Sequence, residues 1–146
     1  MSKIKKLTVW TIVLSFFILI GAGHGIIPIG IFEILFLTHG FKYVENNFSI
    51  IPTNSYEQSF LTASFYAFIG HIFLVLSLFM TKIKLNLILT AAGLIFLWTA
   101  YYCLSHNFFS EDLSQFSFYS GVPFLVVSII LVFKISRDIF IENRSN

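Results

Sequence analysis

The chain has 146 residues, 57% of them hydrophobic and 11% charged, with 19 Phe and a formal net charge of +2. Soluble domains carry about a quarter charged residues, so this composition excludes an ordinary water-soluble domain and makes lipid the natural solvent for the apolar surface. The small net charge and the lack of a basic run with interleaved aromatics set nucleic-acid binding aside, and a lone cysteine, Cys103, excludes an intrachain disulfide and any CxxC redox or zinc site.

A hydrocarbon core of about 30 Å needs roughly 20 apolar residues as a helix. Four segments meet that length, at about 7–29, 58–80, 83–104 and 116–136. None shows the alternation of a barrel strand. The expected fold is therefore all-α: one membrane domain over 1–146, built as a bundle of four transmembrane helices.

The first segment follows Lys3, Lys5 and Lys6 and carries "GAGHGIIPIG" at 21–30. A continuous helix from Leu7 to Leu37 reaches about 46 Å, longer than the membrane core, so the first helix is expected to kink or break near Gly21–Gly30. Gly21, Gly23, Gly25 and Pro28 are the hinge residues. Pro28 lacks an amide hydrogen and crowds the carbonyl of His24, four residues earlier. Gly21 and Gly25, four apart, allow a neighbouring backbone to approach. The following "IFEILFLTHG" reads as a short interfacial or re-entrant piece with Glu33 near headgroup depth. The same N-terminal pattern fits a cleaved signal peptide, but the apolar run continues to Leu37, which favours a retained span.

The stretch from about Thr38 to Glu57 is the longest link, with turn-forming residues in "NNFSIIPTNS". The second span carries His71 near mid-membrane, where a charged ring is costly and a neutral one is expected. Its Ala63, Ala67, Gly70 and Ser77 form a face of small residues, and His71 lies beside that face, pointing between helices. A tight link around Thr81–Lys84 makes the second and third helices antiparallel neighbours. The third repeats the device with Asn86, Thr90, Gly93 and Ala100, and the fourth with Ser117, Gly121 and Ser128 around Pro123. Such stripes read as packing faces. Trp98, Tyr101 and Tyr102, at the outer end of the third span, read as an interfacial aromatic belt.

Charge sets the threading. Lys3, Lys5, Lys6, Lys82, Lys84, Lys134, Arg137 and Arg144 are eight of the nine basic residues. Four spans with both termini cytoplasmic put all eight on the inner side of the cell membrane, as basic residues prefer.

Few positions can carry chemistry. His24, Glu33 and His71 form the candidate pocket, since ionisable residues at membrane depth are functional candidates. A haem between the two histidines is not expected, because they differ in depth by about 10 Å. Zinc or iron on His24, Glu33, His39 and His106 is chemically conceivable, but no HxxxH or ExxH spacing supports it, so neither metal nor cofactor is expected. "HGIIPIGIFE", residues 24–33, resembles the first helix of the EXPERA type of four-helix membrane proteins, which include sterol isomerases and a sterol-related receptor, in its order of histidine, proline and acid. The likeness covers ten residues. That family's pocket also uses acids in later helices, and the second span here has none after Glu57, so no residue is carried over.

Three readings follow. The favoured one is a non-enzymatic membrane protein that binds a lipid-like ligand or partner transmembrane helices. The alternative is an intramembrane isomerase-like enzyme using His24, His71 and Glu33. A transporter ranks last, because no deep acid is in view to pair with His71. The readings separate on whether His24, Glu33 and His71 share one pocket.

Overall fold

The computed structural model describes residues 3–22, 25–39 and 56–144. In chain order these form α1 (Lys3–Phe16), β1 (Leu19–Ala22), β2 (Gly25–Pro28), α2 (Ile29–His39), α3 (Tyr56–Phe79), α4 (Ile83–Ser105) and α5 (Asp112–Arg144). Three helical stretches are long and apolar enough to cross a membrane: Ser59–Phe79, Ile83–Ser105 and Asp112–Asp138. Their lengths, about 32 to 40 Å, exceed the hydrocarbon thickness, and the longest can be accommodated by tilt.

The expected first span over 7–29 is not one helix. α1 has 14 residues, about 21 Å, and ends at Phe16. The chain then forms an antiparallel hairpin in which Leu19 faces Pro28, Ile20 faces Ile27 and Gly21 faces Ile26. Gly21, Gly25 and Pro28 therefore stand in strands and not in a bent helix, while Gly23 and His24 lie outside the described residues. Local chemistry favours this outcome. Ile20, Ile26 and Ile27 are β-branched and suit extended backbone. Pro28, which cannot donate to a ladder, occupies the last position of its strand. The next amide, of Ile29, donates to the Ile18 carbonyl at 2.8 Å, so α2 starts beside the end of α1.

A strand among apolar helices must satisfy its free edge internally. Two serines of α5 do this for β1. The Leu19 amide donates to Ser120 Oγ at 2.9 Å, and Ser117 Oγ donates to the Leu19 carbonyl at 2.8 Å. Ser120→Ala leaves a backbone amide without that acceptor and is expected to cost about 1–3 kcal/mol. Reversible unfolding in mixed micelles measures it; unchanged stability would mean that the serine does not hold the strand.

α1 carries its polar stripe inward. Thr8, Thr11 and Ser15 are buried, and each hydroxyl donates to a carbonyl four residues back. Val9, Trp10, Val13 and Phe17 are exposed. That inversion suits a helix bathed in lipid, where satisfied small polar groups face protein.

α3 and α4 meet through glycines. A Cβ on Gly70 would lie 2.9 Å from the Gly93 carbonyl oxygen, and one on Gly93 would lie 2.9 Å from that of Gly70. Thr90 and Ala100 of α4 and Ala63, Ala67 and Ser77 of α3 are buried with them. At α5, Gly121 leaves room for the Tyr101 ring, whose Cε2 would overlap a Cβ placed there. The Tyr101 hydroxyl donates to the Phe118 carbonyl at 3.0 Å, and Trp98 Nε1 donates to Ser128 Oγ at 2.9 Å. This corrects the aromatic-belt reading for Tyr101, which is buried, while Trp98 and Tyr102 are exposed. A buried aromatic with a polar handle seeks a partner, and α5 supplies one for Tyr101.

The start of α1, the end of α3 and the later part of α5 gather at one end. Lys5 Nζ donates to the Leu78 carbonyl at 2.7 Å. Ile4 and Leu7 pack against Leu87, Leu131 and Ile135.

Candidate functional site

Glu33 and His71 meet because the hairpin turns the chain back. α2 begins against Ile18, and one turn later Glu33 projects onto α3. Gly30 makes the approach possible: a Cβ there would overlap Cδ1 of Phe16, so the Phe16 ring lies directly across the start of α2. The same ring sits 5.2 Å from the His71 imidazole, tilted by 46°.

His71 Nδ1 lies 2.7 Å from Glu33 Oε2, and its Nε2 lies 2.6 Å from Ser15 Oγ. All three side chains are buried: Glu33 is 4% exposed, His71 6% and Ser15 1%. His71 stands eight residues before the end of α3 at Phe79, about 12 Å along the helix axis. Glu33 lies beside His71, within the length of α3, and supplies the acid partner whose apparent absence counted against a proton-path reading.

Counting protons constrains the cluster. Ser15 Oγ also lies 2.8 Å from the Thr11 carbonyl and 3.0 Å from that of Ile12. Ser15 has one proton and three acceptors within reach, the two carbonyls and Nε2, so the direction of the Ser15–His71 contact follows the imidazole tautomer. One proton lies between Nδ1 and Oε2, 2.7 Å apart.

Beside the pair is an apolar cavity of about 260 Å³ between α2 and α3. Phe16, Phe68, Glu33 and His71 form its inner wall, and Ile34, Ile72, Val75 and Leu76 its outward-facing rim. All four rim residues are exposed, so the cavity opens at the outer surface of α2 and α3. Glu33 Oε1 is buried, and it is the one buried side-chain oxygen or nitrogen among the described residues that has no hydrogen-bond partner. Such an orphan costs about 1–3 kcal/mol, more when the group is charged.

Serine, histidine and carboxylate in this order have the connectivity of an acyl-transfer triad. The chemistry is closed here. Ser15 does not line the cavity, and its oxygen is buried. A fluorophosphonate probe is therefore expected to leave Ser15 unmodified in liposomes. Mass-spectrometric detection of a Ser15 adduct would reverse that assignment.

Of the candidate pocket, Glu33 and His71 share the cavity, and His24 lies outside the described residues. His106 is elsewhere: its Nδ1 lies 2.9 Å from the Cys103 carbonyl at the end of α4. Among the described residues no group of three or more His, Cys, Asp and Glu side chains converges as metal ligands would. Ser15 went unmarked in the sequence reading. Its signal was the spacing Thr8, Thr11, Ser15, which marks one polar face on an otherwise apolar helix. Comparison with family models, curated proteins and solved structures gives no match.

Proposed function

We propose that the chain is a multi-pass protein of the cell membrane, with both termini cytoplasmic, that binds a lipid-like ligand in the lateral cavity between α2 and α3. The observation that carries this reading is Glu33 Oε1, a buried and unpartnered oxygen at an apolar cavity whose rim is exposed. Binding sites are mostly apolar with a few placed polar groups, and this cavity has that composition. Three helices of spanning length support the membrane setting, and the gathering of Lys5 with the starts and ends of α1, α3 and α4 supports the threading. Partner transmembrane helices remain the other class of occupant for the exposed apolar faces.

The test is photolabelling in liposomes with an apolar diazirine lipid. Adducts concentrated on Ile34, Phe68, Ile72 and Val75 are expected. Labelling spread evenly over lipid-facing positions such as Ile129 and Phe133, with no excess at the cavity, removes the reading.

A second reading, an isomerase, is favoured by the proton held between Nδ1 and Oε2 next to the cavity. Such a pair can take a proton from one carbon of an unsaturated ligand and return it to another, with no change in oxidation state. Deuterium gained by a bound unsaturated lipid in heavy water, and lost in Glu33→Gln, identifies it; unlabelled lipid after long incubation speaks for binding alone.

A further inference from the structure

We infer that the occupant of the α2–α3 cavity is a neutral amphiphile whose head donates one hydrogen bond, a long-chain or bulky alcohol, and that Glu33 Oε1 receives it. This rests on the binding reading above and adds the head-group chemistry.

Three features select that chemistry. The first is the number of open acceptors. Glu33 Oε2 is engaged with His71 Nδ1, both His71 nitrogens are engaged, and Ser15 is sealed beneath them. Oε1 alone is left. An ammonium head brings three donors to a wall otherwise made of Phe16, Phe68 and aliphatic side chains, so two would stay unpaired. A hydroxyl brings one. The second feature is charge. A cationic head would carry its charge about 12 Å along the helix from its end, where charge is costly. A neutral head adds none. An ionised carboxylate or phosphate head is disfavoured by the same oxygen, since two acceptors would face one another.

The third feature is size and direction. A volume of about 260 Å³ falls just below the roughly 300–1,000 Å³ common for complete ligand sites. It takes the head and the first part of an apolar body. The exposed rim of Ile34, Ile72, Val75 and Leu76 then leads the remainder out among lipid tails, so the ligand enters sideways from the bilayer.

The experiment compares three diazirine-tagged probes of one chain length in liposomes holding the full chain: a primary alcohol, its methyl ether and the primary amine. The alcohol is expected to label the cavity with about tenfold higher apparent affinity than the ether, the worth of one hydrogen bond to a charged or strongly polar acceptor. The amine is expected to fall below the alcohol. The advantage of the alcohol over the ether is then read in a variant. Glu33→Met has no acceptor and loses it. Equal labelling by alcohol and ether in the unmodified chain overturns the inference while leaving the binding reading intact. Preference for the amine overturns it in favour of a cationic ligand. Absence of cavity labelling by all three removes the binding reading itself. The alcohol–ether comparison needs no variant, so a misfolded Glu33→Met cannot obscure the answer.

Discussion

Replacing His71 by phenylalanine is expected to destabilise the protein by about 3–5 kcal/mol, the cost of removing one partner from a buried pair. The ring volume is roughly kept, and the introduced phenyl ring would still stack near Phe16. Both nitrogens are lost, however. Glu33, 4% exposed, then holds two unpartnered oxygens in place of one, and Ser15 loses its partner at 2.6 Å. The double variant His71→Phe, Glu33→Leu removes both polar partners and is expected to recover most of the loss, because no carboxyl group is left stranded. Unfolding free energies of the two single variants and the double variant form a thermodynamic cycle. A coupling of at least ~2 kcal/mol is the expected result. Additive losses, with a coupling near zero, show that Glu33 and His71 do not depend on each other, and with that the site described above disappears.

Gly93→Val should cost about 3 kcal/mol or more, toward the upper end for overpacking. The obstacle is backbone as well as side chain: a Cβ at Gly93 meets the Gly70 carbonyl oxygen at 2.9 Å and Leu74 at 2.8 Å. Leu74 can change rotamer, but the carbonyl of a neighbouring helix cannot move without displacing α3. Gly70→Val meets the mirror obstacle, the Gly93 carbonyl at 2.9 Å. Because both changes force apart the same contact, their combined cost is expected to be less than the sum. Gly25→Ala is the control. Nothing lies within 4 Å of a Cβ there, so its effect should stay within about 0.5 kcal/mol. Unfolding in mixed micelles ranks the series; a Gly93→Val protein as stable as Gly25→Ala means that the two helices do not meet at these glycines.

The long helices were legible from hydropathy. α3, α4 and α5 lie over the apolar segments at 58–80, 83–104 and 116–136, because a spanning length of apolar residues has few other stable forms. The stripes around Gly70, Gly93 and Gly121 were legible for a similar reason: small side chains at helical spacing leave a groove that only a close neighbour fills. The hairpin was not. Glycines, a histidine and a proline announce that a helix cannot continue unchanged, but a kink, a break and a reversal all answer that signal. Tyr101 was misplaced because an aromatic at the end of a span has the same sequence signature whether it meets headgroups or a carbonyl on the next helix.

Composition and hydropathy pattern by themselves thus determined the three long apolar helices and the faces they pack with, since each follows from residue type at helical spacing. Where the chain turns back after Phe16, and hence that Glu33 meets His71 and Ser15, was decided by tertiary structure alone. Eighteen positions separate Ser15 from Glu33 and thirty-eight separate Glu33 from His71, and no local periodicity reaches that far. The contact depends on Ile18, Gly30 and two serines of α5 holding a strand pair in place, each a choice made between segments distant in the chain.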